Sequence, residues 1–164
     1  MAHRVVYSGD FNVLLKEWDE KAKQAWKEQG QAGLNGLKIA NGECARLPQE
    51  LTNVGWTGRW QPGERVIDVA KTLKPGTVIA NFVLRNGKWV YPNVHGWHAA
   101  LFVRGEGFSL DTGTPRQIVM FDQWNSQTAP KWPSPRTVKM WLEATAKGKK
   151  PCDKAEDFFV VMVP

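Results

Sequence analysis

The stretch NGECARLPQE, residues 41–50, places Cys44 directly after Gly42-Glu43, at the expected start of a helix. It is one of only two cysteines, the other being Cys152. A thiol nucleophile needs a reason to ionise, a base within reach and a group that fixes the base. The free N–H groups and dipole of a helix start supply part of the first. His98 follows the loop PNVHGW and opens an apolar run, where its side chain can point into a cleft. Asp122 ends the next strong strand pattern. If the two strands are neighbours, Asp122 reaches the far nitrogen of His98 and fixes its tautomer. Such a set would attack a carbonyl carbon, with His98 moving the protons.

Other readings compete at each position. A free cysteine is often a buried apolar filler, and a Cys44–Cys152 disulfide would remove the nucleophile. Cys152 sits in a lysine-rich segment expected to be an exposed loop. Asp111 is a rival third member, but it lies in Asp-Thr-Gly, a good turn in its own right. Gln123 and Asn125 are further candidates to orient an imidazole. His95 and His98 form His-x-x-His without a cysteine pair or a carboxylate in helical register, so no metal is expected. No cofactor is expected either.

The elements that must position these residues follow from periodicity. Phe11, Leu14, Leu15, Trp18, Ala22, Ala25 and Trp26 fall on one helical face over residues 10–29, capped by Ser8 or Asp10 and ended by Gly30. A loop over 31–42 with one turn in it precedes a short helix over 44–54. The stretch 55–64 is turn-rich, and 64–73 is a strand or a short amphipathic element. Residues 77–83 read as a buried strand, and Asn86-Gly87 marks a hairpin before a return strand at 88–91. Strands follow at 99–103 and 117–121, with a short return at 108–110 between them. The proline-containing segment 125–136 reads as irregular, 138–146 as helix or strand, and 157–164 as a last strand. Helices first and hairpin-joined strands after is the α+β pattern, with the N-terminal helices packed on an antiparallel sheet. The length of 164 residues fits a single domain over 1–164.

GECARLPQEL resembles the nucleophile segment of the papain-fold cysteine amidases of the CHAP and NlpC type, in which Gly-x-Cys opens the first core helix. PGTVIANF and GWHAALFV resemble the strand before the histidine and the histidine strand of those proteins. A small family of compact bacterial proteins similar to CHAP amidases, related to amidase effectors of type VI secretion, matches best. Its elements stand here as Gly42-Glu43-Cys44, Gly76-Thr77-Val78-Ile79-Ala80, His98-Ala99-Ala100 and Asp122-Gln123-Trp124, over residues 38–125. The resemblance implies a papain-like fold, hydrolysis of amide bonds in peptidoglycan, catalytic Cys44, His98 and Asp122, and a cognate immunity protein. Pro48 departs from the pattern, since it has no N–H to return to the carbonyl of residue 44. The helix is then expected to begin later or to kink.

Composition bounds the alternatives. Apolar residues make up 42% and charged residues 23%, as in ordinary globular chains. No run is long and apolar enough for a membrane-spanning helix, and MAHRVVYSGDF has no Sec-type signal. The expectation is a protein made in the cytoplasm, exported by a route without such a signal, and active in the periplasm or cell wall. The net charge of +6 favours anionic partners, cell wall among them. It is spread along the chain, and no nucleic-acid motif accompanies it. Of nine tryptophans, Trp18, Trp26 and Trp141 sit in apolar patterns, while Trp97 and Trp124 are placed to wall a cleft. Asn41 is a candidate side-chain donor to an oxyanion, beside the backbone N–H of Cys44. A module that holds wall glycan through exposed tryptophan, without chemistry, is the rival from another class.

Overall fold

The computed structural model describes residues 1–141 and 147–164. Helix α1 spans Phe11–Asn35, and the Asp10 carboxylate caps it by accepting from Val13 N at 3.1 Å. Gly30 breaks the helix at φ 58°, as expected, but the helix resumes as far as Asn35. Phe11 and Leu14 are buried, with Leu15 and Trp18 packed against the core. Beyond Trp18 only Ala22 and Leu34 of α1 are buried. Trp26, assigned to the core-facing stripe, is therefore 57% exposed.

Helix α2 spans Arg46–Leu51 and begins two residues after Cys44. Pro48 cannot donate to the Cys44 carbonyl, and Leu47 N takes that place at 3.3 Å. Cys44 thus lies in a tight turn ahead of the helix, and the expected element over 44–54 is shorter than its pattern. Residues 61–69 divide into strand β2, Gln61–Arg65, and a one-turn helix α3, Val66–Val69.

The remaining strands are β1 His3–Arg4, β3 Val78–Ala80, β4 Val83–Arg85, β5 Lys88–Val90, β6 Ala99–Glu106, β7 Gln117–Trp124, β8 Lys131–Lys139 and β9 Phe159–Val163. The β4–β5 hairpin turns at Asn86 and Gly87, both with positive φ, 50° and 76°. That is the geometry Asn-Gly favours. The segment read as irregular because of its prolines carries β8, with Pro133 and Pro135 inside the strand. β8 is the last strand of its sheet, and an edge strand tolerates prolines on its unpaired side. The expected return at 108–110 is a turn. The element expected at 138–146 is strand through Lys139, and residues 142–146 lie outside the described part.

The main sheet runs β1-β9-β3-β6-β7-β8, with β2 also on β9, and every pairing is antiparallel. Side chains alternate across it. Ala99, Leu101, Val103 and Phe121 face one way, onto Phe11, Leu14 and Leu47 of α1 and α2. Ala100, Phe102, Ile118 and Met120 face the other, onto Val66 and Ile67 of α3. Because both faces are covered, β6 and β7 read as unbroken apolar runs. The pairing of β6 with β7 brings the residue before one strand next to the end of the other.

Candidate active site

His98 immediately precedes β6, and its backbone is held by Asn81, just past the end of β3. Asn81 Oδ1 accepts from His98 N at 2.9 Å, and Asn81 N donates to His98 O at 2.9 Å. The imidazole is 4% exposed. Its Nε2 lies 2.7 Å from Asp122 Oδ2. That leaves Nδ1 as the nitrogen available to Cys44, whose thiol pKa His98 lowers.

Asp122 is fully buried, and two further cations meet it there. Arg136 Nε donates to Oδ2 at 2.8 Å, and Lys131 Nζ stands 2.7 Å from Oδ1. The Lys131 protons go to Asp122 O, Ser134 O and Ser134 Oγ at 2.9, 2.6 and 2.8 Å, so it faces Oδ1 as a charge. Burial would raise the Asp122 pKa, but His98, Lys131 and Arg136 together drive it well below the usual carboxylate range. Burial likewise opposes the charged form of His98, yet Asp122 and Cys44 raise its pKa to about 9. Lys131 and Arg136 were not anticipated, because they lie on the strand that the prolines disguised.

Cys44 Sγ is 3.2 Å from the hydroxyl of Tyr91, a third residue that sequence reasoning missed. Burial pushes the Cys44 thiol up. His98, the Tyr91 hydroxyl and the backbone N–H of Ala99 more than offset that, and the net shift is downward. The turn that carries Cys44 is tied to β7 by Gln123. Its side chain accepts from Ile39 N at 2.8 Å and donates to Ile39 O and Glu43 O at 3.0 Å each. Gln123 therefore positions the nucleophile's turn and does not orient the imidazole. Neighbouring residues of one strand hold the two sides of the site: Asp122 holds His98 and Gln123 holds the turn of Cys44.

These groups open into a cleft of about 640 Å³ that Trp97, Trp124 and Asn125 also line. The Trp124 ring stands edge-on to His98, with centroids 6.2 Å apart. Asn41 is outside the cleft lining; its Oδ1 accepts from Glu43 N at 3.1 Å and shapes the turn. Asp111 lies in an exposed turn where its backbone N–H meets Ser109 Oγ, so the choice between the two acids falls to Asp122. His95 pairs with Lys150 Nζ at 2.8 Å. Cys152 is half-buried on the same cleft, not in an exposed loop, and both cysteines are free.

A family model described as domesticated amidase effector 2 matches residues 18–161. The chain belongs to that family. The solved structure of type 6 secretion amidase effector 2 (Tae2) is similar at a TM-score of 0.58 and 28% identity, covering 83% of this chain and 93% of its own. No curated protein gives a significant match. The α+β architecture is thus papain-like, as the motifs led one to expect, and the membership is in a family of amidase effectors. That makes the chain an amidase and weighs against a tryptophan-based glycan module without chemistry.

Proposed function

We propose that this amidase hydrolyses amide bonds in the peptide stems or crosslinks of bacterial peptidoglycan, with Cys44 as nucleophile, His98 as base and acid, and Asp122 as the group that orients His98. The observation that carries the assignment is the buried Asp122–His98 hydrogen bond on the same cleft as a thiol whose pKa His98 lowers. His98 keeps its proton up to about pH 9, and the lowered thiol pKa favours a thiolate beside it. The reaction starts from the thiolate–imidazolium form of the pair, which the lowered thiol pKa favours.

The thiolate attacks the carbonyl carbon, the S–C bond forms, and the carbonyl π pair moves to oxygen. The backbone N–H of Cys44 is placed to donate to that oxyanion. Collapse re-forms the carbonyl and breaks the C–N bond, and the imidazolium gives its proton to the departing amine. His98, now neutral, takes a proton from water as the water oxygen attacks the thioester. The second collapse releases the acid and restores the thiolate. Asp122 keeps the imidazole aligned in both half-reactions and stabilises its cationic form. Trp97 and Trp124 wall the bound peptide, and the net charge of +6 favours an anionic wall. The same reading carries secretion from the producing cell, action in the periplasm or wall, and a cognate immunity protein in that cell.

Digestion of purified peptidoglycan by the wild type and by Cys44→Ala, read by mass spectrometry, tests the reading. New stem-peptide fragments are expected from the wild type alone, and their masses name the bond. Turnover retained by a folded Cys44→Ala would overturn the mechanism.

A further inference from the structure

Among the described residues Tyr91 is the one hydroxyl in contact with the nucleophile, and no step above uses it. It precedes the loop that leads to His98, and its side chain is only 8% exposed. Its ring packs against Trp60, with centroids 5.1 Å apart, and Trp60 is itself 1% exposed. The hydroxyl is therefore held by a rigid wall. Among the described residues its hydrogen-bond partner is Cys44 Sγ, at 3.2 Å. A buried hydroxyl aimed at one sulfur and fixed from behind is a costly arrangement unless that contact is used.

We propose that Tyr91 is a catalytic hydrogen-bond donor, first to the Cys44 thiolate and then to the oxyanion that forms on the carbon bonded to that sulfur. This rests on the amidase reading of the site. The direction of donation follows from charge, because a thiolate only accepts. Burial and the adjacent Cys44 drive the Tyr91 pKa far above the usual phenol range, so the proton stays on the phenol throughout. During attack the negative charge leaves sulfur for the carbonyl oxygen. In a tetrahedral adduct those two atoms share one carbon, so both lie within the reach of a single donor rotating about its C–O bond. Tyr91 and the backbone N–H of Cys44 would then supply the two donors that such a site needs. No bond to Tyr91 forms or breaks; its hydrogen bond follows the charge.

Tyr91→Phe removes the hydroxyl and keeps the ring. Two measurements separate the two roles. Iodoacetamide alkylation against pH, with the Cys44 peptide read by mass spectrometry, gives the thiol pKa without any substrate. It is expected to rise in Tyr91→Phe. Peptidoglycan hydrolysis, corrected for the fraction of Cys44 ionised at each pH, reads the transition state. That corrected kcat is expected to fall about 100-fold, the usual loss for one oxyanion donor. An unchanged thiol pKa overturns donation to the thiolate, and a corrected kcat within twofold of wild type overturns donation to the oxyanion. If the wild type cleaves no peptidoglycan, the amidase reading fails, and the alkylation arm still decides the contact with sulfur. Should Tyr91→Phe not fold, a fluorinated tyrosine at position 91 keeps the packing and changes only the acidity of the donor; an unaltered thiol pKa and kcat would then overturn the proposal.

Discussion

Cys44 has the Tyr91 hydroxyl against its sulfur, and His98 and the backbone N–H of Ala99 also lower its pKa. Cys152, on the same cleft, has the carboxylate of Asp153 beside it. Burial acts on both thiols in the same sense, upward. At Cys152 the charge of Asp153 adds to it, Arg136 and Lys150 only partly compensate, and the pKa rises to about 11. At Cys44 the donors reverse the sign. A shared cleft and the upward push of burial therefore say little about a cysteine's chemistry. The neighbours that meet the sulfur decide whether it is a nucleophile.

The comparison breaks most completely at Asp122. Asp122→Asn removes the charge that holds His98 as imidazolium, and with it much of what lowers Cys44. The kcat is expected to fall by about 10³ to 10⁴, as when the acid of a triad becomes an amide. Without that carboxylate the imidazole loses its proton at a lower pH, so the upper limit of activity moves down from about 9. The Cys44 thiol pKa moves up, toward that of Cys152. Lys131 and Arg136, both half-buried, lose their shared acid, at a cost of up to about 3–5 kcal/mol. Denaturant unfolding and the alkylation profile measure the two effects separately. A Cys44 profile unchanged in folded Asp122→Asn would show that the aspartate does not set the charge of the pair.

Gln123 tests geometry where Asp122 tests charge. Gln123→Leu leaves Ile39 N, Ile39 O and Glu43 O without their partner. Each such group costs about 1–3 kcal/mol when it stays buried. The turn of Cys44 is expected to shift away from His98, and a misplacement of about 1 Å can cost about 100-fold in rate. Hydrogen exchange at the Ile39 amide reports the loosened turn, and kcat reports its consequence. Faster exchange with a wild-type kcat would mean that the staple serves stability alone.

Cys44 and His98 were legible because their signals are local: a glycine two residues before the cysteine, and a histidine at the start of an apolar run. Asp122 was separable from Asp111 because one ends a strand pattern and the other sits in a turn. Tyr91 left no such signal, since its contact with Cys44 depends on how a loop folds back across the sheet. Lys131 and Arg136 were hidden for another reason. Two prolines argued against a strand, and only the place of β8 at the sheet's edge makes them acceptable. Gln123 stood beside Asp122 in plain view, but its partners lie on the opposite side of the strand, in a turn about eighty residues away, with |i−j| of 84 for Ile39 and 80 for Glu43. Pattern reading thus found the cysteine, histidine and aspartate that the fold brings together, and lost the residues that pack around and hold them.

Cys152 provides the smallest and most discriminating effect. Its thiol is in the cleft but is held protonated at neutral pH, so it should neither attack substrate nor compete for iodoacetamide. Cys152→Ser keeps the size and a hydrogen-bonding group, and leaves in place the Cys152 backbone carbonyl that accepts from Arg136 Nη2 at 3.1 Å. The support behind Asp122 therefore survives the change. The expected kcat is within about threefold of wild type, the margin of a substitution that leaves the named interactions intact. In the wild type at neutral pH, alkylation is expected to label Cys44 well before Cys152. Preferential labelling of Cys152, or loss of hydrolysis in Cys152→Ser with Cys44 still reactive, would assign the chemistry to the second cysteine and reverse the comparison.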